Sequence, residues 1–391
     1  MAYRNSGIIE YLGQLTTWIP QPIRHPVRQA VHRLRDWYVS FRIYREQTRL
    51  LARMYDRHAR KLILVFVPGG FKPGEGGVTG GILALVALCD NTDNLRTIHD
   101  AQVAMCSWPG GYPLLKFEWF DNDRMIFQLP QLRRFFPHVD EMILHLPEYI
   151  SCEFLDVLDP RDLAWLRQLS TLQINILNMN IKMMPAPEKL TPLARLATKL
   201  TISTAHKKYC SLSERQRLGF PLHHMLTPCS EVTYQFRDYA AKENLLIYSP
   251  DAHPLKERVL QKLQHLPGIR YVEIQNMTYE QYKEIISRAK WAITFGEGLD
   301  GYFLEPIFSG AISFATYNTD FFTPDFQMLD TVYPTYEIMA DRLVADLLRL
   351  DDPDVYKEYQ QKQFRICRSH YDHDTYLQNL KRFYQGNYSF P

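Results

Sequence analysis

The chain has 391 residues, of which 46% are apolar, 13% aromatic and 23% charged, a composition that excludes a disordered chain. Its 45 Lys+Arg nearly balance 43 Asp+Glu, but unevenly: residues 1–61 hold 12 basic and 4 acidic side chains, and the other 330 hold 33 and 39. Basicity confined to one end argues against a global nucleic-acid binder, so no nucleic-acid partner is expected. The length exceeds one ordinary core and predicts two domains. Six cysteines (Cys89, Cys106, Cys152, Cys210, Cys229, Cys367) form no CxxC pair, which points to a reducing compartment and away from a zinc ribbon or disulfide scaffold. No apolar run approaches the ~18 residues of a spanning helix. Glu10 and Gln14 stand where a secretory signal is apolar. The expected location is cytoplasmic, either free or peripheral on the cytoplasmic membrane face.

After Pro26, no Gly or Pro interrupts the chain until Arg60, and Val27, Val31, Leu34, Tyr38 and Phe41 recur at intervals of four and three. That spacing predicts one helical face. Arg28, Arg35, Arg42 and Arg49 recur every seventh residue, with Arg45, Arg53 and Arg57 between them, and Trp18, Trp37, Tyr38 and Phe41 add aromatics. Two readings follow for residues 26–60: a membrane-surface contact with anionic lipid, or a solvated charged face on a helix packed against its own domain.

KLILVFVPGG at residues 61–70 reads as a buried parallel strand running into glycine, followed by FKPGEGGVTGG and the helical ILALVALCDN. Further strands are expected at Gln102–Cys106, Met125–Leu129, Met142–Leu146, Leu172–Ile176 and Leu200–Ser203. Residues 207–243 read as a polar connection. A second α/β series then begins at Asn244, alternating ENLLIYSP, PLKERVLQKLQHL, IRYVEIQ, TYEQYKEIISRAK, WAITFG, DGYFLEPIFSG and AISFATY. Asp354–Tyr384 reads as one or two Tyr-rich amphipathic helices.

Several chemistries lack their signatures. The sequence has no GxxxxGK[ST], no GxSxG and no HExxH. Asp121/Asp123 and Asp372/Asp374 have DxD spacing, but the first pair sits in a hairpin-like turn and the second near the C-terminus, so no metal is expected. TFGEGLDGYFLEPIFSG at residues 294–310 carries the chemistry-bearing pattern. Gly296, Gly298 and Gly301 satisfy GxGxxG between a strand and a helix, with Asp320 about 20 residues on, which is the dinucleotide fingerprint. That fingerprint normally opens its domain, whereas several elements precede it here. What it retains is a Gly-rich turn delivering a helix N-terminus to phosphate.

The same stretch, Glu297-Gly298-Leu299-Asp300-Gly301 through Glu305 to Gly310, resembles the E-x7-E motif of retaining nucleotide-sugar glycosyltransferases of the GT-B fold. The resemblance implies that Glu297 meets the donor sugar near the reacting carbon and that Glu305 accepts hydrogen bonds from the ribose. Backbone near Leu299–Gly301 would meet the pyrophosphate. Asp300 departs from the family pattern, which has glycine there. GYFLEPIFSGAISF is also similar to a stretch of inverting fucosyltransferase-like enzymes of that fold, so stereochemistry stays open. Lys256, after a strand, resembles the lysine that neutralises the donor diphosphate; its usual arginine partner is not evident, and His253 is the candidate substitute. The Gly74–Gly81 loop, with Gly80 and Gly81 at its end, resembles the loop that faces the donor phosphates.

His145 and His206 end predicted strands and are candidates to touch the donor or activate a hydroxyl, with core histidines as the alternative. Glu148 is the candidate base if the enzyme inverts. Trp108, Tyr112 and Trp119 are candidates to stack on sugar, Trp108 and Tyr112 on the acceptor. The expected architecture is α/β: two Rossmann-like domains facing a cleft, residues 62–235 for the acceptor and 236–365 for the donor. A basic helical extension (1–61) precedes them, and residues 366–391 pack back on the first domain. The expected reaction moves a sugar from a nucleotide-sugar to a glycan or lipid-linked acceptor, with no cofactor and no metal. An NAD-linked oxidoreductase and a non-catalytic scaffold are the alternatives.

Overall fold

A computed structural model describes residues 21–391 except 70–78, 112, 226, 228, 230, 264 and 265. The readings placed on Trp18, on Tyr112 and on most of the Gly74–Gly81 loop lie outside the described residues. Two wholly parallel sheets form the frame. The first joins β1 (Lys61–Val67), β2 (Gln102–Ser107), β3 (Ile126–Phe127), β4 (Glu141–Pro147), β5 (Thr171–Asn178), β6 (Lys199–Thr204) and β7 (Leu222–His224) in the order β3-β2-β1-β4-β5-β6-β7. The second joins β8 (Glu243–Tyr248), β9 (Arg270–Glu273), β10 (Ala289–Ile293), β11 (Ile312–Thr316) and β12 (Val332–Tyr333) in the order β12-β11-β10-β8-β9. Helices cover both faces of each sheet, so the inner strands are near-continuous apolar runs; in β1 every residue from Leu62 to Val67 is buried.

The expected strands of the first domain all form. The segment 207–243 departs from expectation: it contributes the helix Leu212–Leu218 and the edge strand β7 to the first sheet before it crosses. Three-residue β7 is too short for periodicity to reveal. β7 is held from outside by Phe390, which exchanges two backbone hydrogen bonds with Leu222 at 2.8 and 2.9 Å.

The N-terminal helix, Gln21–Met54, covers most of residues 26–60. Its C-terminal part belongs to the first domain. Leu51 is buried in that core, and Gln47, fully buried, donates from Nε2 to the carbonyls of Leu114 (3.1 Å) and Ile126 (2.7 Å). Just beyond the helix, Tyr55 packs edge-on against Phe127 and Phe136. One stretch further up, Leu34, Trp37, Tyr38 and Phe41 share a face by their three- and four-residue spacing, and each is 45–66% exposed.

At the other end, the helix Pro353–His370 packs in the second core through Tyr356, Tyr359 and Cys367. The chain then crosses at Tyr371–Asp372. The helix His373–Tyr384 places Tyr376, Leu380 and Phe383 in the first core. The crossing thus follows residue 370, not 365, because the long helix before it is fully committed to the second domain. Asp372 caps the last helix, accepting from Thr375 N at 2.9 Å, which accounts for the Asp372/Asp374 pair.

Gln47 anchors the N-terminal helix by donating to the buried carbonyl of Ile126 and the partly buried one of Leu114. Gln47→Ala should lower unfolding free energy by about 1–3 kcal/mol. Urea denaturation followed by far-UV circular dichroism measures it.

Candidate functional site

The carboxyl ends of both sheets face one another, the usual place for ligands in open parallel sheets. The turn after β10 enters this cleft from the second domain. Gly298 has φ +93°, and a Cβ there would lie 2.6 Å from Phe322 and 2.8 Å from the Thr316 carbonyl, so only glycine lets the turn pass under β11. The helix Gly301–Phe308 follows. Its side chains lean toward its own N-terminus, which brings Glu305 back over the first turn: a Cβ at Gly301 would stand 2.7 Å from Glu305 Oε1.

Glu297, Glu148 and Asn180 make the central cluster. Glu148 follows β4 directly and is only 2% exposed. Its Oε1 accepts from Asn180 N at 2.9 Å and its Oε2 from Met179 N at 3.3 Å. Asn180 Nδ2 donates across the cleft to Glu297 Oε1. Two expected carboxylates from different domains therefore meet through one residue, Asn180, by its main-chain N–H and its side-chain amide. Burial pushes Glu148 up to about 7, against the pull of its hydrogen bonds and with help from Glu297. Glu297 is also raised, by burial, while the nearby Lys182 ammonium opposes the shift.

Glu305 lies deeper, 6% exposed, where Tyr279 Oη donates to its Oε2 at 3.3 Å. Burial raises its carboxyl to about 8, and hydrogen bonds from Tyr279, Tyr234 and Tyr282 only partly offset this. His206 reaches the cleft too. It packs edge-on against Phe321 at 5.6 Å, and burial drops it to about 4. A gap between the domains is lined by His206, Lys207 and Lys208 on one side and Leu299, Phe321 and Thr323 on the other. Lys182 pairs with Asp320 at 3.4 Å, Tyr209 Oη donates to the Asp320 carbonyl at 2.6 Å, and Lys208 Nζ to that of Thr319. Elsewhere on the seam, Asp121 N donates to Glu280 Oε1 at 3.0 Å, and Tyr279 N to the Trp119 carbonyl at 3.1 Å.

Two expectations, at His145 and Lys256, need correction, and two further candidates, Asp300 and Trp108, have side-chain contacts within their own domains. His145 is fully buried between Asn175 Nδ2 (3.0 Å) and Tyr384 Oη (2.9 Å), facing the C-terminal helix and not the cleft; burial lowers it to about 3. Lys256 is not a free cation for a diphosphate. As first residue of the helix Lys256–Leu263 it folds back on its own loop, pairing with Glu273 (2.7 Å) and donating to the carbonyls of Ser249 (3.0 Å) and Asp251 (3.2 Å). Asp300 is the N-cap of Gly301–Phe308: Oδ1 accepts from Phe303 N at 3.1 Å and Oδ2 from Thr294 Oγ1 at 2.7 Å. Its carboxyl is turned inward and raised to about 6 by burial. Trp108 leans on Phe154 at 5.8 Å, at the rim of the first core, and is only partly buried.

Of the remaining candidates, Leu299 is buried in the second core and lines the gap. Gly80 and Gly81 open the helix Gly80–Asp93 behind the Thr79 cap, with open space over Gly80. His253 stacks on Tyr336 at 3.7 Å. Asn180, Lys182 and Asp251 were missed. Asp251 comes within 2.8 Å of where a Cβ on Gly296 would stand, beside Asp300. The only forewarning of Asn180 is the polar run NMN at the end of a buried strand, a weak signal.

The GxGxxG turn follows β10, not β8, the first strand of its domain, which is not the placement of a dinucleotide fingerprint.

No model of a known protein family matches the chain, and no curated protein sequence matches it. Solved structures do. An α-glucosyltransferase in complex with UDP and a DNA containing an HMU base is 9% identical, with a TM-score of 0.53 over 84% of this chain and 99% of that one. Sucrose-phosphate synthase from Thermosynechococcus elongatus is 10% identical, with a TM-score of 0.54 over 84% and 99%. Anabaena HepE in complex with UDP and glucose is 10% identical, with a TM-score of 0.51 over 84% and 100%. The fold is therefore the GT-B arrangement of two Rossmann-like domains across a cleft.

Glu305 generates a stability prediction. Its folded pKa of about 8 exceeds the ordinary 4.5, so the native state holds a proton that the unfolded chain releases from pH 4.5 upward. Stability contributed by this group is full below pH 4.5 and lost as pH rises through about 8. Glu305→Gln should remove that loss, so the difference in Tm between variant and native chain should move in the variant's favour from pH 5 to pH 8. Thermal melts across this range test it; a constant difference contradicts it.

Proposed function

We propose that this chain is a glycosyltransferase that moves a hexose from a nucleotide-sugar to a glycan or lipid-linked acceptor without a metal. The observation that carries the reading is the meeting of Glu148 and Glu297 through Asn180 between the carboxyl ends of the two sheets. The GT-B fold supports it, as does the E-x7-E pattern of Glu297 and Glu305. In this reading Glu297 holds the donor sugar, and Glu305, leaning back over the first turn of Gly301–Phe308, lies on the nucleotide side. The acceptor oxygen attacks the anomeric carbon, and the bond to the distal phosphate oxygen breaks. The nucleoside diphosphate then leaves with the electron pair.

Retention follows from the E-x7-E resemblance, with the acceptor proton passing to the leaving phosphate oxygen. One observation favours inversion: Glu148, with a pKa of about 7, is matched to remove that proton near neutral pH. The anomeric configuration of the product, read by proton NMR, separates the two. If Glu148 is the base, kcat rises with pH through about 7 as the carboxyl ionises, and Glu148→Gln removes that limb. The same substitution should reduce kcat by roughly 10²–10⁴-fold. Chelation with EDTA should leave the rate unchanged.

Thermal-shift screening of UDP-, GDP- and CMP-sugars against NAD and NADP tests the class. Stabilisation by dinucleotides alone contradicts the reading, and Glu297→Ala with undiminished transfer contradicts the role of the motif.

Where the enzyme works is part of the proposal. Leu34, Trp37, Tyr38 and Phe41 form an exposed aromatic face flanked by Arg33, Arg35, Arg45 and Arg49, with Arg45 resting over Phe41 at 5.9 Å. Aromatic rings for the headgroup boundary and arginines for anionic lipid fit a peripheral membrane contact. Among the described residues no helix is long and apolar enough to cross a membrane. Trp37→Ala/Phe41→Ala should lower co-sedimentation with phosphatidylglycerol vesicles several-fold, with transfer to a soluble acceptor preserved. Equal sedimentation of the double variant contradicts the contact.

A further inference from the structure

We propose that Asn180 is the positioning residue of this site: it belongs to the first domain, reaches Glu297 of the second, and fixes the two carboxylates relative to each other when the sheets close. The inference rests on the glycosyltransferase reading for its catalytic consequence, but its geometry stands apart from it.

Three polar groups of Asn180 are committed at once. Its N–H donates to Glu148 Oε1 at 2.9 Å. Its Oδ1 accepts from Lys182 N at 3.0 Å, capping the short turn Ile181–Met183. Its Nδ2 donates to Glu297 Oε1. The cap decides which way the amide points. An oxygen must face the Lys182 N–H, so the NH2 must face Glu297. A carboxylate is the natural acceptor for that donor. Asn180 is therefore a neutral group donating to both members of a like-charged pair, one through the main chain and one through the side chain. Both bonds coexist only with the domains together, because Glu148 and Asn180 travel with the first sheet and Glu297 with the second. The charged and titratable groups that face the pair are Tyr149 beside Glu148, and Lys182, Asp251 and Asp300 beside Glu297.

Two substitutions separate this role from mere turn capping. Asn180→Asp keeps the oxygen that caps Lys182 N but sets a carboxylate against Glu297. Asn180→Ala loses the cap and the donor but keeps the N–H to Glu148. A capping residue predicts Asp near native and Ala worse. A positioning residue predicts the opposite order. We expect kcat to fall by about ten- to a hundredfold in Asn180→Ala with donor KM little changed. In Asn180→Asp the fall should be larger, with partial recovery as pH drops and a shared proton restores the bond. Native kcat and pH profile in Asn180→Asp overturn the role.

A second measurement needs no turnover. Carbon-13 NMR titration of the ligand-free chain should show the Glu297 carboxyl titrating higher in Asn180→Asp than in the native protein. An unchanged titration overturns the contact. A shifted titration in Asn180→Asp, together with a native chain that transfers no sugar from any nucleotide-sugar, supports the contact and sinks the glycosyltransferase reading instead. Normal transfer in Asn180→Asp leaves that reading standing and sinks the positioning role.

Discussion

Four carboxyl groups share the seam between two parallel sheets, and burial drives each of them toward its neutral form. Glu148, Glu297, Asp300 and Glu305 are all raised, with desolvation the largest cause in every case. Bringing acids together in a dry place is unfavourable unless each has donors or can hold a proton. The surrounding structure supplies both. Tyrosines surround Glu305, a helix N-terminus and Thr294 take Asp300, main-chain amides take Glu148, and Asn180 takes Glu297. Lys182, on the first domain, is the cation that tempers Glu297.

The alternation of strands and helices was legible because strands buried on both faces must be continuous apolar runs, and each was punctuated by Gly, Pro or Asn. Of the short edge strands, two-residue β3 was readable within a longer apolar stretch, but β7 and β12, three and two residues long, were not. The site divided the same way. Glu297 and Glu305 were readable because a Gly-rich turn and a helix start fix both positions locally, and Glu148 because it ends a strand. Lys256 and His145 were misread for a common reason. Sequence places a side chain at a strand end but does not say toward which neighbour it turns, and here Glu273 and Tyr384 claim them. Asn180 was invisible because its partners are 32 and 117 residues away, and neither contact leaves a local trace.

The uneven charge distribution takes a different meaning once the helix Gln21–Met54 is placed. It is neither a free basic arm nor wholly a core element. Gln47 and Leu51 root it in the first domain, while Leu34 to Phe41 stand clear. An aromatic and arginine face fixed rigidly to one domain would set the orientation of that domain on any surface it meets, so the first sheet, and not the second, would define how the cleft faces that surface.

Both ends of the described chain lie on the first domain: the N-terminal helix at one end, the helix His373–Tyr384 and the Phe390 bridge at the other. The second domain is therefore an insertion held by two covalent crossings, one before β8 and one at Tyr371–Asp372. A body tethered twice turns most easily about the line joining its tethers, while sliding or twisting must stretch one of them. Rotation about that line is the opening of this cleft that its two tethers oppose least.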